Sequence, residues 1–562
     1  MTQDLATPYE RGNQNQTTLV ADCIAFYEEL QRRYPKVLQF TQVAVSDGGH
    51  PLHVGVVSAD GVFDRAAIKA AGRPIFFNNN GIHPGEPEGI DACMAIVRDF
   101  CVKPDLLASL GKTVLLFVPI YNIDGAMNRA TTSRPNQVGP EEFGFRGNSR
   151  HLDLNRDFIK CDTLNARFFN QLIADWDPDV MVDTHTSNGA DYSYTMTLIH
   201  TQADKLGSGL GPFLRETMLP QLYKGMEQRG WPTTPYVNPV KETPDDGIAD
   251  FLEVPRFSTG FTALHNIIGF MPETHMLKPY QDRYDSIRAL VDVTRDFTVQ
   301  YADEIQRLRR EAKAAQRQQK DWVVTWEMDE TNPSKFRFKG YEARHHASVL
   351  GNYTRLSYDR TKPYEKDVPY FNSFPPALRV PAPKAYVVPQ QWREVVERLQ
   401  WNGVEMSRVE APRQVDARYY RIGALTTRPE PYEGHMFHDA VELETHTGSF
   451  TLNGGDWIVP LDQDNARYAV ETLEPQAHDS FFRWGFFNSI LERKERISDY
   501  VFEDTAAELL KTEPGLQAKF DAWKAANPDK LSDQDAVLGF ILNTCAHHAE
   551  PEFRRYPVLM LD

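Results

Sequence analysis

Arg73-Pro-Ile-Phe-Phe-Asn-Asn-Asn-Gly-Ile-His83-Pro-Gly-Glu86-Pro-Glu-Gly89 joins an apolar run to a Gly-containing turn that sets a His and a Glu two residues apart. The run predicts a strand over Ile75–Asn78, followed by a helix from about Glu88 to Cys101. Imidazole and carboxylate at this spacing can grip one face of a zinc ion and leave the other face open. The pattern alone is weak, because His547 and Glu550 repeat it near the C-terminus. Its surroundings distinguish the first copy.

Working outward, strand and helix signals alternate. A helix is expected within 17–35, then strands at 37–45 and 52–58 across an Asp-Gly-Gly turn. The run 113–120 reads as a fully buried strand, followed by a helix at 162–175 and a strand at 179–184. Helix 204–228, a strand running into Glu273 and a long helix from about 279 to 318 complete the series. The pattern predicts an α/β fold with a mixed, mostly parallel sheet and helices on both faces. Ligands collect at the carboxyl ends of such strands, where His83, Asn122–Gly125, His185 and Glu273 all fall.

The chain has 562 residues, so more than one domain is expected: a catalytic region over 1–318 and a C-terminal α+β accessory region over 319–562. In the second, short strands rich in Pro and Tyr lead to a strand at 384–388, a helix at 391–400, and helices after 462 through Phe481–Phe487 and 498–524. The net charge of −17, with no basic block, argues against nucleic acid and anionic membrane as partners. Five scattered cysteines without a Cys-x-x-Cys pair fit free thiols in a reducing compartment. No signal-peptide core and no apolar run of membrane-spanning length stand out, so a cytoplasmic protein is expected.

Five pieces follow in order: His83-Pro-Gly-Glu86, Asn122-Ile-Asp-Gly125, Asp153-Leu-Asn155-Arg156, Asp183-Thr-His185 and Pro272-Glu273-Thr-His275. Together they resemble the zinc metallocarboxypeptidases, the carboxypeptidase A-like family, over roughly residues 35–300. The resemblance implies a carboxypeptidase-like fold in a large, bacterial-type member with a C-terminal extension. It implies one Zn²⁺ per chain held by His83, Glu86 and His185, with Glu273 as the base. It implies that Asn155 and Arg156 dock a free substrate carboxylate, which a planar guanidinium matches with two parallel bonds. Three protein ligands leave one position on the metal for water, as hydrolysis requires.

Each residue also has a purely structural reading: His185 as a packed strand-edge residue, Arg156 as a salt-bridge residue, Glu273 as a partner of Lys278, His275 as packing. Asp183 shares a strand face with His185 and reads equally as its partner or as a surface acid. For the arginine that polarises the scissile carbonyl, the interval after Gly125 offers Arg129, Arg134, Arg146 and Arg150; Arg134 is the first choice and Arg146 the second. The family's mobile Tyr has no clear counterpart, the nearest aromatics being Phe251, Phe257, Phe261 and the more distant Tyr236. Arg256 is expected at the floor of the side-chain pocket, favouring an acidic C-terminal residue; otherwise Phe257 or Phe261 makes that pocket apolar. The activity expected is zinc-dependent removal of a C-terminal amino acid from a peptide. The rivals are an amidohydrolase or deacylase of the same fold, acting on an acylated amino acid or a cell-wall isopeptide, and an inactive binding protein.

Overall fold

A computed structural model describes residues 5–548 and 550–562; the first four residues of the stretch read for an export signal lie outside the described residues. Ten strands make or touch the region before residue 318. They are β1 (Leu38–Val45), β2 (Pro51–Val57), β3 (Ile75–Asn79), β4 (Val114–Val118), β5 (Val180–Asp183), β6 (His185–Ser187), β7 (Met196–His200), β8 (Thr233–Pro235), β9 (Ile248–Ala249) and β10 (Ile268–His275). All but β9 form one nine-stranded sheet in the order β1-β2-β4-β3-β5-β10-β7-β8, with β6 paired to β10. β3 runs parallel to β4 and β5, and β10 runs parallel to β5 and β6; the β1–β2, β2–β4 and β10–β7 pairs are antiparallel.

Every residue of β3, β4 and β5 is buried, which explains their apolar runs: a strand covered on both faces needs no polar alternation. Successive residues of β3 show the two layers. Phe77 meets Phe169 of helix Leu164–Trp176 at 5.8 Å between ring centroids, while Asn78 bonds Cys93 of helix Glu88–Val102 on the other side. Helix Tyr280–Gln300 packs on Glu88–Val102. β3 turns out through Gly81, whose φ of +69° is a conformation that favours glycine.

Three predicted helices are divided. The 204–228 helix is Gly207–Pro212, a π-type stretch Phe213–Met218, then Leu219–Gln228; the prolines at 212 and 220 lack the N–H that a regular ladder needs. The 279–318 helix breaks at Tyr301 into Tyr280–Gln300 and Ala302–Arg317. The 498–524 helix breaks before Gly515 (φ +78°) into Asp499–Thr512 and Leu516–Ala526. Phe481–Phe487 is a series of turns.

Beyond Arg317, Asp321–Trp326 pairs with Pro376–Pro381, and Ser334–Ala347 pairs with Thr354–Phe371 in a hairpin far longer than the short strands expected there. That hairpin adds β9 as a third strand through Tyr370 and Phe371. A six-stranded sheet built on Ala385–Val388 follows, then helices Arg393–Trp401 and Ala466–Leu473. One apolar cluster runs without a gap from Phe76, Phe77 and Val182 to Trp322, Tyr468 and Trp484. Arg398 fastens the two regions by donating from Nε to the Lys160 carbonyl at 2.5 Å and from Nη2 to Asp162 at 3.1 Å. All five cysteines are buried free thiols.

Candidate active site

The ends of β3 and β5 and the start of β6 bring three groups together. His83, Glu86 and His185 offer ligand atoms that all lie within 4.8 Å of one another, and all three are buried. The His83 and His185 Nδ1 atoms are 3.1 Å apart, and Glu86 places one oxygen 3.3 Å from the first and the other 3.2 Å from the second. On the far side of each ring a carboxylate fixes the imidazole: Asp153 lies 2.8 Å from His83 Nε2 and Asp183 lies 3.1 Å from His185 Nε2. With Nε2–H donated to those carboxylates, both Nδ1 lone pairs face each other and Glu86, an arrangement that a cation between them satisfies. The donor set, two imidazoles and a carboxylate with a carboxylate behind each ring, fits zinc. The second His-x-x-Glu does not: His547 is exposed and Glu550 pairs with Arg493 at 3.1 Å.

The electrostatics are those of a buried charge cluster. Burial opposes ionisation of Glu86, but Arg134, His83 and His185 outweigh it and hold its carboxyl well below the ordinary range. Burial acts the same way on Asp153, and His83, Arg146 and Arg156 overcome it. Glu273 is the exception. Burial, reinforced by Glu86, pushes it up to about 8 against the pull of His185, Arg146 and Arg134. It sits on β10 directly across from His185 in the parallel β6 pairing, and its carboxylate accepts no hydrogen bond from the described residues. Lys278, the partner of the structural alternative, instead donates to the Tyr192 carbonyl. His275 donates from Nε2 to the Ala190 carbonyl, 2.9 Å away, as a packing residue.

These groups open into a cavity of about 700 Å³ that also holds Asn155, Arg156, Tyr236, Phe251, Glu253 and Phe257. Arg156 stacks over Phe257 at 4.5 Å and donates to the Asn155 carbonyl at 2.9 Å. Both Arg134 and Arg146 line the cavity, but they differ in commitment. Arg134 spends Nη1 on Glu86 (2.5 Å), Nη2 on the Thr186 carbonyl (2.8 Å) and Nε on Gln137 (2.6 Å). Arg146 bonds Asp153 through Nε at 2.9 Å and reaches Glu86 at 3.4 Å. Arg129 and Arg150 turn elsewhere, to Glu142 and to the Asp162 carbonyl.

Arg256 is corrected. It faces away from the cavity, pairing with buried Asp479 at 2.7 Å and lying over the rings of Phe437 and Trp484. The charge that does reach the cavity is Glu253, three residues earlier, pushed up to about 7 by burial. Phe257 lines the cavity, whereas Phe261 is buried in the core against Phe158 and Phe169. Tyr236 lines the wall beside Phe251, 5.1 Å away, and its hydroxyl is raised by burial and then by Glu273. The sequence singled out neither Asp153 nor Glu253 for a role. The motif around Asp153 marked the place, but no local signal places it against His83, 70 residues away.

Residues 23–191 match the sequence model of a family described as "Zinc carboxypeptidase", an interval that includes His83, Glu86, Asn155, Arg156 and His185 and ends before Glu273. Among curated proteins, the chain is 23% identical over 426 residues to "Carboxypeptidase 2" of Trichophyton rubrum, covering 72% of each. The protein of the same name from Trichophyton tonsurans is 23% identical over 429 residues, again covering 72% of each chain. Among solved structures, a metallo-carboxypeptidase from Pseudomonas aeruginosa aligns at 15% identity and a TM-score of 0.37, covering 50% of this chain and 69% of that one. Carboxypeptidase A from Helicoverpa armigera aligns at 12% identity and 0.38, covering 52% and 74%.

Proposed function

We propose, from the premise that residues 23–191 belong to a zinc carboxypeptidase domain and the chain is a metallocarboxypeptidase hydrolase, that it releases the C-terminal residue of peptides with zinc held by His83, Glu86 and His185. The observation that carries this reading is one cavity in which that ligand set faces Glu273 on one side and Arg156 on another. When bound, zinc supplies Lewis acidity and lowers the pKa of water to about 7.

The chain's own groups supply the rest. Arg156, with Asn155 beside it, pairs with the substrate's terminal carboxylate, whose desolvation in a half-closed cavity needs a cation. Glu273, whose carboxylate accepts no hydrogen bond from the described residues, takes a proton from the attacking water in its ionised form and hands it to the leaving amine. A guanidinium aimed at the carbonyl oxygen stabilises the charge that develops there. Arg146 suits that role better than Arg134, because Nη2 of Arg146 carries no hydrogen bond among the described residues while all three nitrogens of Arg134 are engaged. Tyr236 and Phe251 offer a wall that covers the docked residue.

The test compares matched peptides with free and amidated C-termini. The free acids are expected to be cleaved far faster, with the difference lost in Arg156→Ala. Equal rates in the unmodified enzyme would transfer the reading to the amidohydrolase of the same fold.

A further inference from the structure

A second cavity, of about 400 Å³, lies where helix Ala302–Arg317 and the turn at Asp204–Gly209 meet strand Asp321–Trp326 and Arg467 of helix Ala466–Leu473. It shares no lining residue with the catalytic cavity. Its polar lining is dominated by donors. Arg467, almost wholly buried, spends Nε on Glu471 at 2.6 Å and Nη1 on the carbonyls of Lys205 and Ala263, but its Nη2 has no partner among the described residues. Trp322 is equally buried, and its Nε1–H also lacks a partner.

Lys205 is the third donor. Its ammonium gives one hydrogen bond, to the Glu253 carbonyl at 3.0 Å, and has no carboxylate within ion-pair distance among the described residues. Lys205 and Arg467 lie over the same ring, that of Trp326, at 5.3 and 5.7 Å. The acceptors nearby are already used: the side chains of Asn266 and Gln316 bond each other at 3.1 and 3.0 Å, Glu311 on the rim pairs with Arg307, and Asp204 pairs with Arg215 at 2.6 Å and accepts from the Phe374 N–H. Of the carboxylates around the two buried cations, only Glu471 bonds one of them directly, through Arg467 Nε. Burial first, with Arg467 adding to it, brings Lys205 down to about 8.

A buried cation that is left unpaired is costly, and a donor without an acceptor costs more than a normal bond returns. We propose that this cavity binds a small oxoanion, carboxylate or phosphate, held by Arg467 Nη2, Trp322 Nε1–H and Lys205 Nζ, with any organic part lying between Trp326 and Leu308. Neutral water satisfies the two orphan donors but gives the Lys205 ammonium no counter-charge within ion-pair distance among the described residues.

Tryptophan fluorescence of the full chain reports on the site through Trp322 and Trp326. Titration with inorganic phosphate in one arm and acetate in the other is expected to give a saturable change in at least one, and the arm that saturates at lower concentration identifies the oxoanion. The response should persist in Arg156→Ala, which removes the anion-binding group of the catalytic cavity. It should weaken about tenfold in Trp322→Phe, which keeps the ring and deletes one donor to a charged group, and again in Lys205→Met. Affinity unchanged in both Trp322→Phe and Lys205→Met, loss of the response in Arg156→Ala, or a non-saturating response in both arms of the unmodified protein would overturn the proposal.

Discussion

Asp153 shows how much a single side chain can do that local sequence does not announce. It accepts from His83 Nε2 at 2.8 Å, takes the Arg146 guanidinium at 2.9 Å and caps the turn that carries Asn155 and Arg156. Removing the carboxylate behind a ligating His costs 10–100-fold in metal affinity. Asp153→Ala is therefore expected to weaken zinc binding by that factor in a competition titration with a chelator, without unfolding the chain. Glu253 gives the second prediction at this scale. With a carboxyl pushed up to about 7, it is mostly neutral at pH 6 and mostly ionised at pH 8. Its negative charge on the cavity wall then favours Lys or Arg as the released residue, and that preference should grow from pH 6 to 8 and vanish in Glu253→Gln. A preference for Glu or Asp at pH 8 would contradict it. The sequence directed attention to Arg256 because it was the one fixed charge in the interval. The carboxylate that pairs with it, Asp479, lies 223 residues later, out of reach of any local reading.

At the scale of elements, the strands beneath the site were legible because both their faces are buried and their residues are accordingly apolar. What spacing alone does not reveal is how closely the elements approach. A Cβ added at Gly89, in the first turn of Glu88–Val102, would stand 1.8 Å from Thr184 Oγ1, next to His185. Gly89→Ala must push that helix end away from the strand that carries His185. Overpacking of this kind costs about 1–3 kcal/mol, expected as a lower urea midpoint together with weaker zinc binding. The divided helices and the long hairpin were less legible. The π-type stretch follows from Pro212 and Pro220 and the break in the 498–524 helix from Gly515, and the hairpin strands are exposed over much of their length, so no apolar alternation marks them.

At the scale of the molecule, the residues after 318 do not hang from the catalytic region; they complete its packing. Glu433, at φ +49° in the turn Tyr432–His435, accepts from the backbone N–H of Asp153 at 2.9 Å, which puts the C-terminal region one residue away from His83. Arg256 and Asp479 join the two regions in a buried pair, with Asp479 fully enclosed. Breaking such a pair by removing one partner leaves an uncompensated charge and costs about 3–5 kcal/mol. Asp479→Ala is expected to lose that much stability by denaturant unfolding, and Arg256→Met with Asp479→Leu to recover most of it. Composition suggested a second region, but its dependence on the first rests on pairs of distant residues and so waited for the structure.

The account turns on three buried side chains meeting at one point. Bound zinc per chain, measured by elemental analysis of the purified protein, tests this most directly. The account predicts about one zinc in the unmodified protein and in His547→Ala, and loss of that zinc in folded His83→Ala and His185→Ala. Full zinc occupancy in His83→Ala would contradict it.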